Sequence, residues 1–318
     1  MKTLRPKVSI IGAGNVGSTF AFSLMMSGLA REIVLIDNNQ ERAAGECMDL
    51  NHGLSFAQPA TIYSAGYEGC KNADIIVITA GSRQKPGQTR IDLVQANTDI
   101  LRQMIPQIQK YAEDAIFLIV TNPVDILSYV TLKISGLPSN RVIGSGTVLD
   151  TSRFRYLLSE HCNVDTRNIH AYIIGEHGDT ELPVWSGANI GGMLFKKYCP
   201  MCPENTSCMP GKQLGSIFEQ VKDAAYKIIK SKGSTYYAIA LALVRITEAI
   251  LRDENSILPV STLINDYYGI SDICLSIPSL VNRNGVEKFL RLELSLKEQE
   301  QLVHSAASLK TIIQDLKL

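Results

Sequence analysis

The sequence carries no excess charge of either sign. Its 318 residues include 31 lysines and arginines and 31 aspartates and glutamates, so no basic surplus points to nucleic acid or an anionic membrane as a partner. No apolar run approaches the roughly 20 residues that a membrane helix needs, and no small-residue cleavage site closes the apolar stretch VSII near the start. We therefore expect a cytoplasmic protein that binds neither nucleic acid nor membranes.

Cysteine is present in an odd number and without a regular spacing. The seven cysteines are scattered along a long chain, which argues against a secreted disulfide scaffold. Cys199, Cys202 and Cys208 share one segment, but no fourth cysteine or histidine lies near them, as a structural zinc site would need. We predict an ordinary loop and no metal site there, with a metal or redox function as the alternative.

The first half of the sequence alternates between continuous apolar runs and helical patterns. The runs cover 7–14, 32–37, 73–81 and 115–123, and helices are predicted between them. Strands that are apolar on both faces are typical of a parallel sheet covered by helices on both sides. With right-handed crossovers, this order predicts a doubly wound α/β fold.

The pattern changes beyond about residue 145. A long helix is predicted over 213–252 with a break near 232–235, and residues 258–293 indicate short strands and turns. The length also exceeds that of a typical single domain. We predict two domains, the doubly wound one over 1–145 and an α+β one over 146–318.

A glycine-rich loop follows the first predicted strand and opens the first helix. Gly12, Gly14 and Gly17 stand at G-x-G-x-x-G spacing, and Asp37 ends the second strand twenty residues later. Such glycines permit a tight turn, close approach of a pyrophosphate and close helix packing, while the acid accepts hydrogen bonds from a ribose. The loop predicts a Rossmann domain that binds NAD rather than NADP; the alternative is a purely structural turn.

Charged residues cluster where the predicted strands end, and His177, one of only five histidines, lies among them. Reduction of a 2-oxo acid needs a proton donor, a cation near the carbonyl oxygen and a bidentate clamp for the carboxylate. His177 fits the donor, Asp150 its orienting carboxylate, Arg153 the clamp and Arg90 the cation. Each could instead be a turn, cap or solvated surface residue.

From GAGNVG to the last helix, the chain resembles the lactate/malate dehydrogenase family, in particular its bacterial L-lactate branch. The segments TNPVDIL, GSGTVLDTSRFR and GEHGD carry the resemblance. It implies an NAD-dependent enzyme that interconverts pyruvate and L-lactate, the last step of homolactic fermentation, with His177 and Asp150 as the proton-transfer pair. It also implies that Arg153 binds the substrate carboxylate, that Arg90 polarises the carbonyl, and that Asn122 and Thr235 contact the substrate.

The same resemblance implies further contacts to the cofactor beyond the three glycines and Asp37. These residues are Val16, Arg42, Tyr67, Gly81, Ser82, Val120, Asn122 and Ser145.

Gln84 is the position that separates lactate from malate enzymes by this resemblance. Malate enzymes carry arginine there for the second carboxylate of oxaloacetate, whereas a neutral Gln84 suits pyruvate. Arg83 and Lys85 flank it, so a malate or other 2-hydroxy acid dehydrogenase remains the alternative. A second alternative is a nucleotide-binding protein without turnover on the same fold.

The resemblance also bears on assembly and regulation. Relatives form homotetramers, and bacterial ones often bind fructose 1,6-bisphosphate through residues that match Arg155 and His170. An arginine and a histidine are suitable phosphate ligands. Both could equally be a surface helix charge and a strand-edge residue, so activation by the sugar phosphate and its absence stay open.

Overall fold

The fold is that of a computed structural model, which describes residues 5–82, 90–198 and 213–316. The predictions for Gln84 and for the loop with Cys199, Cys202 and Cys208 lie outside these residues. No helix in the described part of the chain is long and apolar enough to cross a membrane.

The elements are numbered along the chain. The strands are β1 (Lys7–Ile11), β2 (Glu32–Ile36), β3 (Thr61–Ser64), β4 (Ile75–Ile78), β5 (Ile116–Ile119), β6 (Val142–Gly144), β7 (Ile169–His170), β8 (Ile173–Ile174), β9 (Leu182–Pro183), β10 (Asn189–Ile190), β11 (Met193–Leu194), β12 (Ser256–Ile264), β13 (Ile273–Asn282) and β14 (Gly285–Phe289). The helices are α1 (Asn15–Ser27), α2 (Gln40–His52), α3 (Arg90–Gln109), α4 (Val124–Ser135), α5 (Val148–Cys162), α6 (Phe195–Tyr198), α7 (Gln213–Lys232), α8 (Tyr237–Leu251) and α9 (Leu296–Asp315).

The first half folds as a doubly wound parallel sheet, as predicted. Its strands lie in the order β3-β2-β1-β4-β5-β6, and every neighbouring pair is parallel. Strands β1, β4 and β5 are buried along their whole length, because helices cover both faces of the sheet. The strand order reverses between β1 and β4, and ligands of such sheets bind at that point.

Three antiparallel strands extend this sheet. β14, β13 and β12 follow one another, and β12 joins β6 through the pair Ser261 and Gly144, so one sheet runs through both halves of the chain. The prediction of short strands in this region was wrong, because β12 and β13 contain 9 and 10 residues. The ladder continues through Pro259 and Pro278, which lie opposite each other in register, although proline is uncommon inside such strands.

The long helix predicted over 213–252 is two helices, as expected from the break near 232–235. α7 ends at Lys232, and Gly233 follows with φ +85°, a conformation that favours glycine. α8 then packs against α1 through an apolar cluster that includes Phe20, Leu24 and Leu243. The non-helical residues between α7 and α8 are therefore held next to the start of α1.

Candidate active site

The glycine loop joins β1 to α1, and its three glycines differ in their surroundings. A Cβ on Gly12, which has φ +105°, would lie 2.7 Å from the backbone nitrogen of Ala80. A Cβ on Gly17 would lie 1.9 Å from the carbonyl oxygen of Gly12. A Cβ on Gly14 would meet no atom within 4 Å. Packing therefore requires glycine at 12 and 17, whereas Gly14 leaves open space at the N-terminus of α1, which suits the approach of a phosphate.

Asp37 lies beside this loop, at the end of β2. Its Oδ2 accepts a hydrogen bond of 2.7 Å from the backbone N–H of Ala13, and its Oδ1 accepts one of 2.8 Å from Asn39. The carboxylate thus connects the second strand to the glycine loop. An anion at this place repels the extra phosphate of NADP by like charge.

The other residues predicted to contact a cofactor follow the carboxyl ends of the parallel strands. Val16 lies in α1 after β1, Arg42 in α2 after β2, Tyr67 in a 3-10 turn after β3, Gly81 and Ser82 after β4, Val120 and Asn122 after β5, and Ser145 after β6. Because parallel strands end at one edge, the fold brings this set to the same edge of the sheet.

Asn97 organises part of this edge, although no motif in the sequence points to it. It is almost fully buried, and its Oδ1 accepts a hydrogen bond of 2.7 Å from the backbone N–H of Ser82. Its Nδ2 donates to the carbonyl oxygen of Asn122 at 3.1 Å. The segments after β4 and β5 are thereby held together by one side chain from α3.

His177 and Asp150 form the central pair of the site. His177 lies in the turn between β8 and β9, and Asp150 in the first turn of α5. Nδ1 of His177 is 2.5 Å from Oδ2 of Asp150, and Oδ1 of Asp150 accepts a hydrogen bond of 2.8 Å from Arg153. The side chain of Asp150 is 3% exposed and that of His177 25%, so the carboxylate is enclosed while the imidazole is partly accessible to solvent.

Asp125 holds the backbone of His177 in place. The sequence analysis did not identify this residue. It lies in the first turn of α4, and its Oδ2 accepts a hydrogen bond of 2.7 Å from the backbone N–H of His177. Its Oδ1 accepts one of 3.2 Å from Ser276 on β13. The only sequence signal was its place in TNPVD, directly after a strand.

Glu181 is a third residue that the sequence analysis missed. Its side chain is buried, and its carboxylate, His177 and Asp150 offer polar atoms within 4.8 Å of one another. Such a group could hold a metal ion, but the guanidinium of Arg153 already binds Asp150 and opposes a further cation. The arrangement suits proton transfer better than metal binding.

The pKa values follow from burial and charge. Burial lowers the pKa of His177, but the charge of Asp150 and the hydrogen bond to it outweigh this effect and raise the pKa to about 9. Burial raises the pKa of Asp150, yet His177 and Arg153 together hold it below its usual value. Burial and the charge of Asp150 raise the pKa of Glu181 to about 9, and burial raises that of Asp125 to about 6.

The residues predicted to contact the substrate or the sugar phosphate lie on several separate elements. Thr235 is half-buried in the linker before α8, and α3 begins at Arg90, whose side chain is outside the described part of the chain. Arg155 donates a hydrogen bond of 3.0 Å to the carbonyl oxygen of Ala171 and lies over the ring of Tyr172. His170 is exposed on β7.

A doubly wound parallel sheet with a glycine loop and a buried histidine–aspartate pair is typical of the nicotinamide-dependent class of dehydrogenases. The family model for the NAD-binding domain of lactate/malate dehydrogenases matches residues 6–144, and that for the α/β C-terminal domain matches residues 147–317. The chain belongs to the lactate/malate dehydrogenase family.

Several known proteins are similar over almost the whole chain. An L-lactate dehydrogenase of Acetivibrio thermocellus is 56% identical over 98% of this chain and 97% of its own length. One from Priestia megaterium is 54% identical over 96% of this chain and 94% of its own. The crystal structure of a minor L-lactate dehydrogenase from Enterococcus mundtii is 41% identical with a TM-score of 0.95, covering 99% of this chain and 100% of that one.

Proposed function

We propose that the protein is an NAD-dependent L-lactate dehydrogenase, which reduces pyruvate with NADH and oxidises L-lactate with NAD. The observation that carries the proposal is the pair of His177 and buried Asp150, with Arg153 on the same carboxylate. The names of relatives more than 50% identical over nearly the full length support the same activity.

The residues of the site divide the chemistry between them. Nδ1 of His177 is engaged by Asp150, so Nε2 carries the proton that passes to the carbonyl oxygen of pyruvate. Arg153 binds the substrate carboxylate with its planar guanidinium, and Arg90 stabilises the charge that develops on the carbonyl oxygen. Asn122 and Thr235 contact the substrate. When bound, NADH supplies the hydride.

The cofactor residues act by position and charge. The open space at Gly14 admits the pyrophosphate to the N-terminus of α1, and Asp37 accepts hydrogen bonds from the adenosine ribose. Val16, Arg42, Tyr67, Gly81, Ser82, Val120, Asn122 and Ser145 complete the contacts.

The test is NADH oxidation with pyruvate and with oxaloacetate, side by side. A strong preference for pyruvate supports the proposal, and a preference for oxaloacetate favours a malate dehydrogenase in which Arg83 or Lys85 reaches the substrate. NADH binding without turnover of either favours a non-enzymatic protein. In the variant Gln84→Arg, we expect the preference to move towards oxaloacetate; an equal loss with both substrates would remove the role given to Gln84.

Organisation and regulation are part of the proposal. We infer two domains that meet at residues 145 and 146, and a homotetramer. For Arg155 and His170 there are two alternatives, a fructose 1,6-bisphosphate site or a surface helix charge and a strand-edge residue without an effector. The contact of Arg155 with Ala171 means that a phosphate would have to share this guanidinium with the protein. The test is to measure KM and kcat for pyruvate at increasing concentrations of fructose 1,6-bisphosphate. If neither value changes, the sugar phosphate is not an effector.

A further inference from the structure

The linker between α7 and α8 is a short non-helical segment that carries Thr235. Gly233 donates a hydrogen bond of 2.8 Å to the carbonyl oxygen of Ile229 and thereby closes α7. Tyr236 precedes α8 with φ −150° and ψ −27°, outside helical geometry. Ser234 and Thr235 are half-buried between these ends. The position of Thr235 therefore depends on what holds a four-residue segment.

Contacts from its own helices hold the ends of the linker. Nζ of Lys232 lies 3.6 Å from the centroid of the Tyr236 ring and 4.0 Å from that of Tyr237. The two rings pack edge to face, with centroids 4.6 Å apart. These cation–π and aromatic contacts join the end of α7 to the start of α8. They do not touch the glycine loop.

A different contact joins the linker to the glycine loop. Nδ2 of Asn15 donates a hydrogen bond of 2.9 Å to Oγ of Ser234, across 219 positions of sequence. Asn15 is the first residue of α1 and stands between Gly14 and Val16. Ser234 directly precedes Thr235. One pair of side chains thus connects the loop proposed to bind the cofactor with the segment proposed to line the substrate pocket.

The packing around the bond between Asn15 and Ser234 allows it to fix the position of the linker. α1 and α8 pack through buried apolar residues, including Phe20, Ala21 and Leu24 of α1 and Ala240 and Leu243 of α8. Asn15 therefore lies on a well-packed helix, and the helix that follows the linker is fixed against it. The linker itself begins with a glycine, whose backbone is permissive. Loss of the bond would leave the helices in place and release the segment between them.

We propose that the hydrogen bond between Asn15 and Ser234 positions Thr235, and that this position gives the pocket its preference for the smallest 2-oxo acids. The inference rests on the proposed function. Without the bond the wall at Thr235 withdraws, so pyruvate loses contacts while a substrate with one more methylene, 2-oxobutyrate, gains room. Asn15 and Ser234 are positioning residues, because they act through Thr235.

The experiment compares Asn15→Ala, Ser234→Ala and the double variant in the full-length protein. Ser234→Thr keeps the hydroxyl group, and Ser23→Ala is the matched control, since Ser23 donates a hydrogen bond to the carbonyl oxygen of Thr19 within its own helix. KM and kcat are measured with pyruvate and with 2-oxobutyrate at saturating NADH, and the Kd of NADH is measured by fluorescence.

We expect each single variant to raise KM for pyruvate by roughly three- to tenfold, the effect of one hydrogen bond, and KM for 2-oxobutyrate by less than about twofold. kcat and the Kd of NADH should stay within about twofold. The double variant should be no worse than the more severe single variant, because both remove the same bond. Ser234→Thr should restore the ratio of the two KM values, and Ser23→Ala should leave it unchanged.

Other results would overturn the inference. An equal rise of KM for both substrates, or effects that multiply in the double variant, would mean that the bond only supports local packing. A change of the ratio in Ser23→Ala would mean that α1 as a whole, rather than this bond, is responsible. Failure of the unmodified protein to reduce pyruvate would instead overturn the proposed function, so the two failures are distinct.

Discussion

Nδ1 of His177 lies 2.5 Å from Oδ2 of Asp150, while Oδ1 of the same carboxylate accepts a hydrogen bond from Arg153 at 2.8 Å. One buried carboxylate therefore orients both the proposed proton donor and the proposed substrate clamp. Its negative charge faces the permanently positive Arg153 and, when His177 is protonated, a second positive charge. This arrangement explains why the pKa of His177 is raised and that of Asp150 lowered despite their burial.

The pH dependence of the reaction follows from the raised pKa of His177. Pyruvate reduction needs the protonated imidazole, so kcat/KM should be constant below about pH 9 and fall by about tenfold per pH unit above it. Lactate oxidation needs the neutral imidazole and should rise towards pH 9. In Asp150→Asn the midpoint should move to lower pH, because the charge that raises the pKa is gone. Asp165→Asn, at an exposed ion pair with Arg167, serves as control, and an unmoved midpoint in Asp150→Asn contradicts the assignment.

Arg153→Lys tests the carboxylate clamp. Lysine keeps the positive charge but cannot form two parallel hydrogen bonds, so KM for pyruvate should rise by about 10- to 100-fold. The Kd of NADH should be unchanged. Steady-state kinetics and fluorescence titration measure the two. Arg167→Lys, at a highly exposed arginine, is the control; an equal KM in Arg153→Lys and the unmodified protein would show that Arg153 does not bind the substrate.

The glycine loop allows cofactor binding and folding to be tested separately. Gly17→Ala should prevent correct folding, because its Cβ would lie 1.9 Å from the carbonyl oxygen of Gly12. Gly14→Ala should keep its melting temperature, because its Cβ meets no atom within 4 Å, and should lose NADH affinity by obstructing the pyrophosphate. Calorimetry and fluorescence titration provide the two readouts. Gly45→Ala in α2, also open, is the control and should bind NADH normally; normal binding by Gly14→Ala would place the pyrophosphate elsewhere.

Asp125 predicts a pH dependence of stability. Its pKa is raised from 3.8 to about 6 by burial, so the stability that it contributes is present below pH 3.8 and is lost as the pH rises through 6. Between pH 3 and 8 the unfolding free energy of Asp125→Asn should therefore fall less than that of the unmodified protein, by about 3 kcal/mol. Urea unfolding at equal protein concentration measures the difference. The same change in both proteins would contradict the raised pKa.

The parallel half of the fold was predictable because its signals are local. Each strand is one apolar run, and the loop at Gly12 and Gly17 needs glycine for steric reasons that lie within a few residues. The lengths of β12 and β13 were not predictable, because each strand contains a proline, which argues against a strand inside a sheet. Pro259 and Pro278 lie opposite each other in the ladder, and this register is not visible in either segment alone.

The site shows the same division. His177, Asp150 and Arg153 were found because the reaction requires their chemical types and the resemblance indicated their places. Asp125 and Asn97 were missed, since they bind backbone groups of residues 52 and 15 or more positions away. Backbone groups are the same in every residue, so such partners are visible only once the fold is known.

The single pair of Gly144 and Ser261 has a consequence for the integrity of the first half. β6 is its outermost parallel strand, and β12 covers the outer edge of that strand. A polypeptide cut after residue 145 would present the backbone of an entirely buried strand to other molecules, and such an edge invites self-association. The second half of the chain therefore shields this edge of the nucleotide-binding half from self-association. We expect that cleavage between the two halves would leave neither half stable on its own.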